Sequence, residues 1–199
     1  MTDTPVDLSP IKNITVSGRI ATGATSLAKK IAEALGWHLV EGGEIMGRID
    51  ASLGLSVVDL DKRPDKFDLE YEEQVKKILS TETGYVVQSH LAGYDAQGID
   101  GVFKILVLCE DENGHDYPDI RIDRLVNRDN ISVEEAKYEV NERERQHLLK
   151  FRRLYANDDE NWYYWDKKYY DLVISTYSHN KDETVTIALN ALGIKQHDA

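Results

Sequence analysis

Cysteine is almost missing from this chain of 199 residues. Cys109 is the single one, so no intrachain disulfide can form and a reducing compartment is the simpler setting. It closes an apolar run, which reads as a buried inert thiol rather than a nucleophile. No apolar run approaches the roughly 20 residues that span a bilayer. The first dozen residues are polar, carry Pro5 and Pro10, and lack the basic start and apolar stretch of a signal peptide. A cytoplasmic location with no membrane partner is therefore expected. Positive charge is also short: 24 Lys and Arg against 36 Asp and Glu leave a net charge of −12, which argues against nucleic acid as a partner. A phosphate ligand stays open, because a few local donors hold it whatever the global charge.

What is present is an alternation of strands and helices in one globular unit. Met1–Lys12 reads as a loose tail, and residues 13–199 as a single domain. Asn13–Ser17 is a short β-branched strand running into a glycine-bearing turn. A helix follows Gly23, with Leu27, Ala28, Ile31, Ala32 and Leu35 on one apolar face and Gly36 at its end. Further strands are expected at Trp37–Val40, Tyr85–Ser89, Phe103–Cys109 and Leu172–Thr176. The spacing predicts helices around Ile45–Leu53, Phe67–Leu79, Ile120–Arg128 and Lys181–Leu192. Residues 110–117 read as an acidic loop. Ser132-Val-Glu-Glu135 is a capping box that opens a long charged helix reaching about Tyr155. Together these point to a parallel sheet covered on both faces.

The first turn carries the chemistry. Gly18-Arg-Ile-Ala-Thr-Gly-Ala-Thr-Ser26 follows a strand, opens a helix and has the glycine spacing of the phosphate loop G-x-x-x-x-G-K-[ST]. Successive amides and the helix N-terminus make a positive concavity for phosphates, and Thr25 supplies the hydroxyl that ligates Mg²⁺. Ala24 stands where the pattern has lysine, which removes one point charge from the β- and γ-phosphates. Alone, two glycines five apart fit a tight strand-to-helix turn equally well.

From Ile14 to Leu192 the sequence resembles the archaeal-type cytidylate kinases, a branch of the P-loop nucleoside monophosphate kinases. The stretches that carry the resemblance are ITVSGRIATGATSLAKKIAEALG, VVQSHLAGY at 86–94, RIDRLVNRDNISVEEAKYEVNERER at 121–145, FRRLYAND at 151–158 and YYDLVISTYSHNKDETV at 169–185. The resemblance implies a five-stranded parallel sheet, an acceptor-binding region at about 41–82 and an arginine-rich helical lid at about 117–160. It implies transfer of the γ-phosphoryl group of ATP, with Mg²⁺, to CMP or dCMP. Gly18, Arg19, Ala21, Thr22, Gly23, Ala24, Thr25 and Ser26 then hold ATP, with Thr25 on the metal. Arg121, Arg124, Arg128 and Arg143 are the catalytic arginines, and Arg48, Asp68, His90 and Gly93 face the acceptor. A monomer or weak homodimer is expected.

The departures fall in the acceptor site. The family segment E-G-R-L-A-G reads Gln88-Ser-His-Leu-Ala-Gly93, so His90 replaces an arginine, and Arg48 lies one place late. The usual basic triplet of the lid reads Leu148-Leu-Lys150. A different small acceptor, or a catalytically reduced nucleotide-binding module, is therefore weighed beside the kinase.

Phosphoryl transfer between phosphates needs alignment and positive charge more than acid–base help, so the lack of a Ser/His/Asp or paired-carboxylate constellation is no objection. Arg121, Arg124 and Arg128 recur at helical spacing; they line either a lid or a solvated face paired with Asp123 and Asp129. His90 either grips the acceptor phosphate when protonated or bonds at a strand end. His115-Asp-Tyr-Pro-Asp119 reads as a solvated turn. The aromatic cluster Trp162–Trp165 with Tyr169-Tyr170 reads as packing, with base stacking by one ring as the alternative. Arg152-Arg153 with Lys150 reads as a solvent-facing helix end or a group that reaches nucleotide phosphates when the lid closes.

Overall fold

The computed structural model describes residues 4–55 and 62–194. Residues 56–61 of the acceptor-binding region and the first three residues of the tail lie outside them. Five strands form one wholly parallel sheet in the order β2-β3-β1-β4-β5: β1 Asn13–Gly18, β2 His38–Glu41, β3 Tyr85–Gln88, β4 Val102–Leu108 and β5 Leu172–Ser175. This is the P-loop kinase fold. β1 is central, pairs with β3 and β4, and is buried at all six positions; after Asn13, whose amide is hydrogen-bonded to Leu79 O, Glu82 O and Tyr85 N–H, its residues are apolar or small. After β1 the chain winds to the β2–β3 side, and from β4 to the other side. The C-terminal end of β1 therefore lies in the crevice where ligands of open α/β sheets bind.

Helices α1 (Ala24–Leu35) and α8 (Lys181–Ala191) cover one face. Leu27, Ala28, Ile31 and Leu35 of α1 close there on Ile14, Val16, Ala188 and Leu189. Gly36, at φ 63°, ends α1 by donating its N–H to Ala32 O. On the other face α3 (Asp65–Thr81) sets Tyr71, Val75 and Leu79 against Val87, Ala92 and Val102, with α2 (Gly42–Ser52) and the short α4 (Ala92–Asp95) beside it.

The lid consists of α5 (Pro118–Asp129), then α6 (Val133–Lys137), a π-helical turn Tyr138–Arg143 and α7 (Glu144–Tyr155). The expected capping box is present: Ser132 N–H donates to Glu135 Oε2 at 2.8 Å, and Glu135 N–H to Ser132 Oγ at 3.2 Å. The expected single long helix is instead interrupted by the wider π turn, which shifts the face that α7 presents to the loop. Ile122, Leu125, Ala136 and Val140 gather around Ile20 and seat the lid on the phosphate loop.

The segment expected to be a loose tail docks over residues 6–12. Val6 N–H donates to Leu35 O at 2.9 Å, Trp37 Nε1–H to Val6 O at 2.9 Å and Lys12 N–H to Gly101 O at 2.7 Å, while Val6, Leu8 and Ile11 pack on the core. Polar composition hid three apolar side chains spaced to meet it. Among the described residues no helix is long and apolar enough to cross a membrane.

Candidate active site

The loop between β1 and α1 is shaped by sterics before charge. A Cβ at Gly18 would meet Thr22 Oγ1 at 2.5 Å and Val107 O at 2.9 Å, so this position is closed to any side chain. Gly23 takes φ 100°, and Ala21 accepts a positive φ of 61°. Thr22, fully buried, ties the turn by donating its hydroxyl to Arg19 O at 2.9 Å. α1 begins with no side-chain cap and no acidic residue in its first turn. Its leading amides at Ala24, Thr25 and Ser26 are thus left for an anion. Ala24 is 6% exposed and Ser26 lies on the exposed side.

Thr25 Oγ1 donates to Gln88 Oε1 at 3.3 Å, across the ends of α1 and β3. Both are neutral hard oxygens. They fit Mg²⁺, which takes oxygen ligands, keeps several waters and draws most of its charge compensation from substrate phosphates.

The lid arginines differ in their engagement. Arg121 is 1% exposed: Nη1 donates to Ile20 O at 3.0 Å and Glu144 Oε2 at 2.8 Å, and Nη2 to Asp116 Oδ2 at 2.7 Å. Arg124 reaches over the loop to the end of β5, donating to Thr176 Oγ1 at 2.8 Å and Thr176 O at 2.7 Å. Thr176 Oγ1 in turn donates to Thr22 O at 2.9 Å, so Arg124, β5 and the loop form one connected unit. Arg128 points outward and pairs with Asp129 at 2.7 Å, the solvated arrangement, and does not share the inner face of its helical neighbours. Arg143 pairs with Glu139, one turn earlier, and its Nε is buried without a hydrogen-bond partner. Arg19 lies 4.6 Å over the Trp165 ring and pairs with Asp116 at 3.1 Å and with Glu144.

In the segment expected to bind the acceptor, Asp68, 3% exposed, anchors a buried network. It accepts from Arg63 Nη2 at 2.7 Å and Arg63 Nε at 3.3 Å, and pairs with Lys150 Nζ at 2.8 Å. Arg63 Nη1 donates to Asp50 Oδ2 at 2.8 Å. The network joins α2, α3 and α7. One turn along α3, the Glu72 carboxyl is pushed well up by burial and by the neighbouring Asp95. Arg48 does not join the site; it stays on the outer side of α2, 3.4 Å from Glu44.

His90 is a packed group. Its Nδ1–H donates to Gly18 O at 2.9 Å, and its ring meets His147 at 5.0 Å and Tyr164 at 5.4 Å. Burial pushes its pKa down, and the Gly18 carbonyl offsets this only in part, so His90 is neutral at pH 7. The hydrogen bond of the strand-end reading is present, from His90 to the last residue of β1. Gly93 donates its N–H to Ser17 Oγ at 3.0 Å, and a Cβ there would meet Tyr170 Cε1 at 2.2 Å.

A profile of the cytidylate kinase-like family matches residues 13–178. The chain belongs to that family. It is 32% identical over 167 residues to a cytidylate kinase of Natronomonas pharaonis, covering 82% of this chain and 80% of that relative. To a cytidylate kinase of Methanosarcina mazei it is 31% identical over 186 residues, covering 90% and 97%. An uncharacterized protein from Eubacterium ventriosum shares the fold at TM-score 0.65 and 14% identity, covering 92% of this chain and 99% of that one. A gluconokinase from Sinorhizobium meliloti does so at TM-score 0.55 and 16% identity, covering 92% of each.

Sequence reasoning missed Arg63, Asp116 and Glu144, and read Lys150 as part of a solvated helix end. Lys150 is instead buried beside Asp68. Arg152 donates to Trp162 O at 3.0 Å and Arg153 pairs with Asp65 at 2.7 Å. Glu144 and Lys150 meet partners far along the chain, Arg19 and Asp68, which no local spacing signals. Arg63 and Asp116 meet Asp68 and Arg121 only five residues away, but across the start of a helix, where the helical i+3 and i+4 spacing does not apply.

Proposed function

We propose that the chain is an ATP-dependent nucleoside monophosphate kinase that transfers the γ-phosphoryl group to CMP or dCMP. The observation that carries the reading is the uncapped start of α1 behind Gly18 and Gly23, with Thr25 on its first turn and Arg124 bridging the loop to β5. Relatives over nearly the whole chain that bear the name cytidylate kinase support the acceptor class.

The loop amides bind and orient the phosphate chain of the donor. Arg124, whose hydrogen bonds go to the neutral oxygens of Thr176, supplies the positive charge that Ala24 does not. Thr25, with Gln88 beside it, would hold Mg²⁺, which would supply charge neutralisation on the transferring group. The acceptor would lie over Asp68 and Gly93, and the buried cations paired with Asp68 are Arg63 and Lys150. The acceptor phosphate, with a second pKa of about 6, needs no general base.

A second reading, a nucleotide-binding module of reduced catalytic power, draws support from Ala24 and from the carboxylates already paired with Arg19 and Arg121. One experiment separates the two: release of ADP from ATP and Mg²⁺ against a panel of nucleoside monophosphates. Turnover fastest with CMP or dCMP is expected. Turnover confined to another acceptor would sink the substrate assignment, and ATP binding without turnover would favour the module.

A further inference from the structure

The loop-facing edge of the lid carries an anion of its own. Glu144, 3% exposed and the first residue of α7, places Oε2 3.1 Å from the Ile20 amide nitrogen and 2.8 Å from Arg121 Nη1. Its Oε1 accepts from Arg19 Nε at 3.0 Å and also from Arg19 Nη2. Burial pushes this carboxyl up, but Arg19 and Arg121 overcome that and hold it below the usual carboxylate range, so it is ionised. One loop amide and two guanidinium groups converging on two oxygens is the donor set that recognises a phosphate. Here a side chain fills it.

Asp116 supplies a built-in comparison. It pairs with the same two arginines, at 3.1 Å to Arg19 Nη1 and 2.7 Å to Arg121 Nη2, while the amide of Ile20 goes to Glu144. Two cations and two carboxylates leave this cluster near neutral. A polyphosphate approaching the loop therefore meets spent donors unless one carboxylate withdraws. Glu144 is placed to do so, because it directly follows the π turn Tyr138–Arg143, a break in the regular helix where a change of register is easiest.

We propose that Glu144 is a positioning residue that exchanges with the phosphate chain of the donor. Its carboxylate keeps Ile20 N–H, Arg19 and Arg121 assembled in the ligand-free chain and cedes them to the incoming phosphate oxygens. Donor binding and release of α7 from the loop are then a single event. This rests on reading Gly18–Ser26 as a phosphate loop, and the test separates the two ideas.

The experiment is calorimetric titration of the full chain, at fixed ionic strength, with ATP and separately with inorganic tripolyphosphate. It compares the unmodified chain with Glu144→Gln and Asp116→Asn, each of which removes one negative charge beside the same arginines. Only Glu144→Gln weakens the hold on the Ile20 amide. Exchange predicts that Glu144→Gln binds both ligands about tenfold more tightly, the worth of one charge-assisted hydrogen bond no longer broken, and Asp116→Asn less than about threefold. The ligand-free melting temperature of Glu144→Gln falls, and its rise on adding ATP is larger than in the unmodified chain.

Equal gains in the two variants would reduce the effect to net charge and overturn the exchange, as would weaker binding by Glu144→Gln. If Glu144→Gln does not fold, Glu144→Asp keeps the charge but draws the carboxylate back from Ile20, and it must still bind more tightly than the unmodified chain. Binding by the unmodified chain with no gain in either Glu144 variant defeats the exchange alone. Absence of binding in every variant defeats the phosphate-loop reading, and the exchange with it. Binding only once Glu144 is replaced supports it.

Discussion

Replacing Asp68 by Ala tests whether the acceptor region is held together by charge. Asp68 is buried and receives two strong charged contacts, from Arg63 Nη2 at 2.7 Å and Lys150 Nζ at 2.8 Å, and a weaker one from Arg63 Nε at 3.3 Å. Breaking a buried pair from one side costs about 3–5 kcal/mol, because the partner charge is left in a poor solvent. The lower end applies here. Arg63 keeps Asp50 at 2.8 Å, and Lys150 Nζ keeps Arg63 O at 2.9 Å. The expected loss is therefore about 3 kcal/mol, or roughly 6–12 °C in melting temperature for a domain of this size. Urea unfolding at pH 7 followed by circular dichroism measures it. The double change Arg63→Met with Asp68→Leu removes both charges and should cost less than Asp68→Ala, since no buried ion is stranded. A loss below about 1 kcal/mol for Asp68→Ala, or a double variant worse than the single, would show that packing rather than charge holds this corner.

Arg124→Ala should lower kcat/KM for ATP by about a hundredfold, the usual cost of removing one transition-state donor, and steady-state kinetics with the preferred acceptor would show it. Unchanged turnover would mean that Arg124 does not stand in for the missing lysine. Gly93→Ala should destabilise the chain by about 1–3 kcal/mol, because the added methyl overlaps Tyr170 and must push it off Tyr164 O, where the hydroxyl donates at 2.6 Å. A thermal melt within error of the unmodified chain would contradict that. His90 and His147 both have pKa values pushed below 6.5, foremost by burial, so below that pH the unfolded chain takes up protons that the folded one refuses. Stability should fall between pH 6.5 and 5.5 by up to about 1.4 kcal/mol per pH unit for each histidine, and less steeply in His90→Asn. An identical slope in the variant would place the proton uptake elsewhere.

Periodicity and turn chemistry are properties of neighbouring residues, and what they govern was legible. The β1-loop-α1 unit, the capping box at Ser132 and the buried run of β4 all follow from spacing. The order of strands was not, since Asn13 pairing with both Tyr85 and Val102 is decided by packing across the sheet. The family resemblance supplied the five-stranded parallel sheet, while periodicity alone supplied only its alternation with helices. The turn Gly18–Ser26 could be picked out because its residues are contiguous. Glu144 was passed over because its partner Arg19 lies 125 residues away, and a glutamate inside NERERQ looks like ordinary helix solvation. The sequence left His90 between two readings. Its position in the segment pointed to phosphate, whereas its environment of His147, Phe151 and Tyr164 keeps it neutral and packed.

These placements change where the charge for catalysis comes from. Counting arginines along the lid suggests a strongly positive clamp, yet Arg121 is balanced by Glu144 and Asp116, Arg128 by Asp129 and Arg143 by Glu139. Arg124 alone of these four directs its hydrogen bonds to neutral oxygens, and it does so on the same threonine that braces the loop. In a chain of net charge −12, a polyanion gains little from the long-range field. On the proposed reading, affinity comes from contacts made at the loop: the leading amides of α1, the guanidinium of Arg124 and whatever donors the lid carboxylates give up. Such a site discriminates by geometry, because an anion that cannot reach the loop amides has nothing to exchange with.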